Sequence, residues 1–327
     1  MKPRAHEAAF AARRYYIDGA SMDEIASELA TSRSTVSRLV ATARKEGLVE
    51  IRVHDDRSDG PYLEQELERR YGVHAAVTPV AERASAVERL EDVAENAARF
   101  LSATLGANMT VGIAWGSTIS AVSRHLVPKP TTGMKFVQLN GAGNIITSGI
   151  GYASEILSRF ARNFTAQAQQ FPVPTLFDNP ATKRGMWEER STRRVLDMQR
   201  DMDATVFSIG SPFAEVPSQV YSGGYLDEND LAQLAAHKVV GDVATVFFRE
   251  DGSFSGIPLN SRSSGPDFTV LRHTRRRICV AADPSKAPGV RGALAAGLIT
   301  DLIIDDVLAQ SLLQEPAEGP WPRARTV

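Results

Sequence analysis

The sequence predicts an α/β protein in two parts: a small N-terminal helix-turn-helix unit, winged-helix-like in layout, joined to a larger Rossmann-like α/β domain. Three observations carry this. Residues 21–53 read as two short helices around a tight turn, followed by a short apolar strand. From about Tyr62 to Leu313, short apolar runs alternate with amphipathic stretches. Several of those runs end in Gly, Ser, Thr or Asn, as the strands of an open α/β sheet do. The polar break from His54 to Pro61 separates the two parts. Domains are therefore expected at 1–54 and 62–314, with a linker at 55–61. The tail at 315–327, with three prolines, is expected to be disordered.

Taken in order, the N-terminal elements begin with an amphipathic helix, roughly His6 to Asp18. Ser21 and Glu24 form an S-x-x-E capping box, so the next helix starts near Met22. Ile25, Ala26 and Leu29 share one face of it. Ala30-Thr31-Ser32 makes the turn, with Ser32 as N-cap of the following helix. In that helix Val36, Leu39 and Val40 point inward, which leaves Arg33, Ser34, Thr35, Ser37 and Arg38 outside. Small hydroxyls and arginines at the start of an exposed helix suit phosphates and base edges in double-stranded DNA. Arg44 and Lys45 at its far end suit the DNA backbone. Gly47 stops the helix, and Leu48 to Val53 alternates as a strand would.

The whole chain of 327 residues carries a net charge of −2, which hides a local asymmetry. Residues 1–53 hold nine Lys/Arg against seven acids, and Arg33 to Lys45 contains four basic residues and no acid. A surplus this small gives one copy weak non-specific affinity, so useful DNA binding calls for a dimer or larger. The single cysteine, Cys279, lies in an apolar run and excludes an internal disulfide. No signal peptide and no apolar stretch of about 20 residues is present, which points to a cytoplasmic protein with no membrane partner.

In the larger part, Ala84 to Leu105 is an amphipathic helix with Val87, Leu90, Val93, Ala94, Ala97, Leu101 and Leu105 along its stripe. Tyr62 to Tyr71 reads as another helix. Strands are expected at Met109–Ala114, Phe136–Leu139, Ala204–Ile209, Val243–Phe248, Ile278–Ala282 and Leu302–Ile304, with helices after the first and fifth. Met186 to Arg200 reads as one charged helix. Gly116, Ser117 and Thr118 at a strand-to-helix turn offer N–H groups and hydroxyls to an anion, and Lys286 before another helix adds a full charge. Their shared place at strand ends argues for a phosphate or carboxylate site.

The chain resembles the SorC family of bacterial sugar-responsive transcriptional regulators, whose effector domain is related to the ribose-5-phosphate isomerase and glucosamine-6-phosphate deaminase fold. The residues that carry the likeness are IASELATSRSTVSRLVATARKEGLVEIRV, VGIAWGSTISAV from Val111, QLNGAGN from Gln138, FPVPTLFD from Phe171, VFSIGS from Val206, GDVATVFF from Gly241 and ICVAADPSKAPGVRGALAAGLITDLIID from Ile278. The resemblance implies a homodimer or homotetramer whose operator affinity is altered by a sugar phosphate, sugar or polyol, with no cofactor. It places Gly116, Ser117 and Thr118 in a first phosphate loop and Gln138, Asn140 and Gly141 in a second. It sets Asp242 against sugar hydroxyls and Lys286 near the phosphate. One departure stands out: relatives that take bisphosphorylated sugars carry extra arginines, whereas this chain has Asn140 in the second loop and Gln219-Val220-Tyr221-Ser222 after the third. A monophosphate, or a neutral polyol or sugar, fits better.

The expected function is thus DNA-binding regulation of carbohydrate or polyol metabolism, gated by a small ligand. The rival reading is a sugar-phosphate isomerase or deaminase with an appended nucleic-acid module. Such chemistry needs a positioned carboxylate or histidine. The candidate carboxylates Asp201, Asp203, Glu188 and Glu189 read as helix-end or surface charges, and the six histidines are scattered without an i,i+4 pair for a metal.

Overall fold

The computed structural model describes residues 3–45, 47–49, 59–146, 148–215 and 218–314. The chain divides into two compact units, Met1–Arg57 and Ser58–Val327.

The first unit is three helices: α1 (Pro3–Tyr16), α2 (Met22–Glu28) and α3 (Arg33–Lys45). The Ser21–Glu24 capping box starts α2 with both reciprocal bonds formed. The turn passes through Ala30, whose φ of 48° lies in the left-handed region. The Ser32 hydroxyl then accepts the Thr35 N–H at 3.2 Å, capping α3. At the far end Gly47 adopts φ 69° and the Leu48 N–H reaches the Ala43 carbonyl, a left-handed glycine stop. Val36, Leu39, Val40 and Ala43 of α3 pack on Ile25 and Ala26 of α2 and on Ala8, Ala11 and Ala12 of α1. A bidentate Arg14–Glu28 pair ties α1 to α2. Leu48 and Val49 lie in no strand, and the rest of the strand expected at Leu48–Val53 lies outside the described residues, with most of 55–61 and all of 315–327.

The second unit is a parallel sheet with helices on both faces. Its strands are β1 (His74–Thr78), β2 (Thr110–Ile113), β3 (Lys135–Gln138), β4 (Gln167–Gln169), β5 (Ala204–Phe207), β8 (Arg276–Ala281) and β9 (Asp301–Asp305); a separate antiparallel hairpin holds β6 (Gly241–Val243) and β7 (Val246–Phe248). The sheet order is β1-β9-β8-β5-β2-β3-β4. The helices are α4 (Gly60–Tyr71), α5 (Ala86–Thr104), α6 (Ser117–His125), α7 (Ile150–Phe164), α8 (Pro180–Glu188), α9 (Arg190–Arg200), α10 (Gln219–Ser222), α11 (Glu228–Ala236), α12 (Phe268–His273), α13 (Ala287–Ala295) and α14 (Asp306–Leu313). Alternation along the strands divides the core in two: Ile278 and Val280 of β8 join one apolar cluster, Cys279 and Ala281 the other. Among the described residues, no helix is long and apolar enough to cross a membrane.

Two expectations need correction, and two strands were not expected. Val243–Phe248 is not a strand of the sheet but a hairpin, because Ala244 and Thr245 both take positive φ (46° and 68°) and reverse the chain. The charged helix Met186–Arg200 is two helices, broken where Glu189 turns extended (ψ 137°). Two edge strands, β1 and β4, went unread; β4 is three residues of Gln-Ala-Gln with no apolar pattern to show it.

Candidate functional site

Strand β2 lies between β3 and β5, so the chain's path reverses there, at the point where open α/β sheets open a crevice at their carboxyl ends. A small cavity occupies this place. It is lined after β2 by Trp115, Gly116, Ser117 and Thr118, after β3 by Asn140, after β5 by Ser208 and Gly210, and by Asp242, Thr245 and Lys286. Its volume of ≈ 40 Å³ matches about three waters at ~10–15 Å³ each, the room one compact anionic group needs.

One side of the cavity gathers groups able to hold an anion. Gly116 caps α6 with φ 146°, a conformation that excludes most side chains, and supplies no capping side chain of its own. The N–H groups of the first turn of α6 therefore have no acceptor within the helix. Lys286, only 6% exposed, comes from the tight turn Pro284–Lys286. Asp283 holds that turn, accepting the Ser285 N–H and hydroxyl on one oxygen and the Glu215 N–H on the other. Burial lowers the Lys286 pKa against the opposing pull of Asp283, Cys279, Asp242 and Asp305. Among the described residues its ammonium has no hydrogen-bond or ion-pair partner, although four acidic groups attract it.

The other side presents oxygens. Asp242 is 3% exposed. Its Oδ2 accepts the Thr245 N–H at 2.9 Å; its Oδ1 has no partner within hydrogen-bond distance, although the Tyr221 hydroxyl stands beside the carboxylate. Burial raises its pKa to about 6, opposed by the Thr245 N–H, the Tyr221 hydroxyl and the Lys286 charge. Burial, and then the Asp242 carboxylate beside it, push the Tyr221 hydroxyl well above its ordinary range. Paired backbone bonds between Gly210 and Asp242 fix the acid's place, and a side chain at 210 would put its Cβ 2.0 Å from Asp242 Oδ1. Asn140 Oδ1 and Ser208 Oγ are likewise buried and unpartnered.

Six of the eight residues expected to meet the effector, Gly116, Ser117, Thr118, Asn140, Asp242 and Lys286, thus line one cavity. Gln138 and Gly141 do not. The Gln138 amide is consumed in bonding the Asn140 carbonyl and the Phe171 N–H. The Gly141 N–H donates to Ser264 and its carbonyl accepts from Trp115 and Thr175, in a space where a Cβ would lie 2.1 Å from the Val173 carbonyl. Both residues shape the loop that carries Asn140. Gln138 instead borders a larger open cleft of ≈ 780 Å³, lined in part by residues 142–146, by Phe171, Val173 and Met186, and by Arg262. The sequence reading missed Ser208, Gly210 and Thr245. The strand-end rule that found Gly116 covers Ser208 and Gly210 equally; Thr245 enters only through the unread hairpin.

In the first unit, Ser32, Arg33, Ser34, Ser37, Arg38, Arg44 and Lys45 are exposed and Thr35 is half-buried. The hydroxyls of Ser34 and Thr35 bond Ser32 at 2.9 Å each, so the cap occupies them. Arg38 is held only by a 3.4 Å contact to the Ser34 carbonyl, and Arg33 lies 4.0 Å from Asp23.

Comparison with known proteins places this arrangement. The sugar-binding domain family model matches residues 59–314. The deoxyribonucleoside regulator of Bacillus subtilis (strain 168) is 31% identical over 309 residues, covering 93% of this chain and 96% of its own. The sorbitol operon regulator of Klebsiella pneumoniae is 24% identical over 312 residues, covering 93% and 96%. A crystallised domain of a possible sugar-binding transcriptional regulator from Arthrobacter aurescens TC1 superposes with a TM-score of 0.75 at 50% identity, over 80% of this chain and all of that one. The full-length Klebsiella pneumoniae sorbitol regulator, at 22% identity, shares the fold with a TM-score of 0.75 over 96% of this chain. With a family match across the whole sheet domain and full-length relatives that regulate transcription, the chain belongs to the SorC family of sugar-binding transcriptional regulators.

Proposed function

We propose that this protein holds operator DNA through α3 and releases or tightens it when the anionic end of a phosphorylated sugar or polyol enters the cavity beside Gly116 and Lys286. The observation that carries the proposal is the buried Lys286 ammonium, unpaired beside the open first turn of α6. A cation held against its desolvation cost, next to unsatisfied N–H groups, is arranged for an anion. The relatives named for deoxyribonucleosides, sorbitol and erythritol share phosphorylatable polyhydroxy chemistry, which agrees with that end of the ligand. Ser32, Arg33, Ser34, Thr35, Ser37, Arg38, Arg44 and Lys45 are assigned to DNA. A homodimer or homotetramer sets two α3 helices at half-site spacing. A tenfold change in operator affinity needs about 1.4 kcal/mol of differential binding.

The test is fluorescence anisotropy of a labelled duplex from upstream of the protein's own gene, at two salt concentrations, with and without a pool of sugar phosphates, free sugars and polyols. Salt-sensitive binding that the pool alters is the expected result. Binding indifferent to every ligand would remove the gating. Turnover of a sugar phosphate by the purified protein would favour the isomerase or deaminase reading.

A further inference from the structure

We propose that the outer face of α9, carrying Arg190, Arg193 and Arg194, is a second DNA-phosphate surface, set in the sheet domain and separate from α3. The inference rests on the DNA reading above and adds a contact that the helix-turn-helix does not supply.

Charge in the sheet domain is unevenly spread. Residues 59–314 hold 25 Lys/Arg against 28 acids, yet 183–200 holds six against three. How the arginines are engaged says more than their number. Of the 20 arginines in 59–314, nine pair with a carboxylate and four more donate to backbone carbonyls. Among the described residues the other seven do neither, and four of these, Arg184, Arg190, Arg193 and Arg194, fall within eleven residues.

The fold presents this face to solvent on a fixed helix. Thr192, Val195 and Gln199 of α9 are buried, and the Gln199 amide donates to the Gln138 and Leu139 carbonyls at 2.8 and 3.0 Å. Arg190, Arg193 and Arg194 lie exposed on the opposite side, at i, i+3 and i+4. Like charges at that spacing weaken a helix, so folding alone gives no reason to gather them. Among the described residues no carboxylate pairs with any of the three, Glu188, Glu189 and Asp197 included; Asp197 holds Arg200 instead. Guanidinium forks match phosphate oxygens. The ~6 Å of helix axis from Arg190 to Arg194 spans about two phosphates of one strand. DNA is the polyanion that a transcriptional regulator already has to meet. Residues 1–53 hold only nine Lys/Arg against seven acids, so the first unit by itself neutralises few phosphates.

Fluorescence anisotropy of the full chain over a salt series tests the surface, with a duplex from upstream of the protein's own gene and a random duplex of equal length. Arg190→Ala, Arg193→Ala and Arg194→Ala combined should weaken both duplexes by the same factor, about tenfold or more at low salt. The salt dependence should flatten by about one power of salt for each arginine engaged. The ratio between the two duplexes should stay within about twofold of the parent's, because phosphates carry no sequence. Without DNA the variant should melt at the same or higher temperature, since the like charges are gone. The matching triple Arg→Lys variant should keep most of the parent's slope. An unchanged slope in the alanine variant, or lysines no better than alanines, overturns the α9 surface and leaves α3 standing. An alanine variant that dissociates into smaller assemblies in sedimentation velocity, before DNA is added, assigns the face to a second copy and overturns it as well. If the parent binds neither duplex, the DNA reading falls and the α9 surface with it.

Discussion

Asp242 and Lys286 are both buried, and burial works against the charge of each, raising the first pKa to about 6 and lowering the second. An acid whose folded pKa exceeds its unfolded value holds its proton longer in the native state. Its contribution to stability is therefore greatest below pH ~4 and is lost as pH rises to about 6. Asp242→Asn removes that loss, so the variant should be more stable than the parent by on the order of 1–3 kcal/mol at pH 8 and by little at pH 4.5. Urea unfolding at the two pH values checks it, and a difference independent of pH would show that Asp242 titrates normally. Lys286 bears the opposite dependence: burial lowers its pKa, so its cost grows as pH falls below the ordinary lysine range. Burying the two charges costs stability, and on the proposed reading a ligand that fills the cavity recovers part of the loss. In the first unit, Arg38, one of the residues proposed to meet DNA, is exposed and held only by a 3.4 Å contact to the Ser34 carbonyl. Arg38→Ala should weaken operator binding by about 1–3 kcal/mol, seen by anisotropy, while phosphate binding by calorimetry stays at the parent value. Loss of both would count against separate sites.

At the scale of elements, what the sequence made legible is what local chemistry writes down. The Ser21 box, the Gly47 stop and the stripe of α5 all depend on residues within a turn of one another. The central strands β2, β5, β8 and β9 were legible because burial on both faces makes them continuous apolar runs. The Val243–Phe248 hairpin was not: Ala and Thr are poor residues for its left-handed turn, and packing against Ser263 and Gly265 imposes it from a distance. Glycines show the same division. Gly185 in α8 and Gly292 in α13 read alike in sequence, but a Cβ at 185 meets nothing within 4 Å, and one at 292 would lie 2.5 Å from the Arg249 carbonyl. Gly185→Ala should stabilise by about 0.5–1 kcal/mol through helix propensity. Gly292→Ala should destabilise by roughly 2 kcal/mol or more, because backbone cannot yield as a side-chain end can. Denaturant midpoints of the two variants decide it, and a shared sign would mean that packing on α13 is looser than the geometry requires.

At the scale of the molecule, the candidate site was legible as far as one rule reached: Gly, Ser, Thr and Lys at the carboxyl ends of parallel strands. That rule could not separate Asn140, which lines the cavity, from Gln138 two residues earlier, whose amide is taken up by the Asn140 carbonyl and the Phe171 N–H. Nor could it find the orphaned oxygens, because a missing partner is a property of the packed chain. What joins the site to α3 is a matter of thermodynamics before structure. If a ligand changes operator affinity by some factor, the operator must change ligand affinity by the same factor. Calorimetric titration of the active sugar phosphate into free protein and into protein saturated with operator duplex should therefore give affinities whose ratio equals the shift seen by anisotropy. Lys286→Ala should lower ligand affinity in both states and thereby blunt the response at a fixed ligand concentration. Equal ligand affinities with and without operator, beside a ligand-dependent anisotropy signal, would mean that the ligand acts on the DNA or on assembly and not through the cavity.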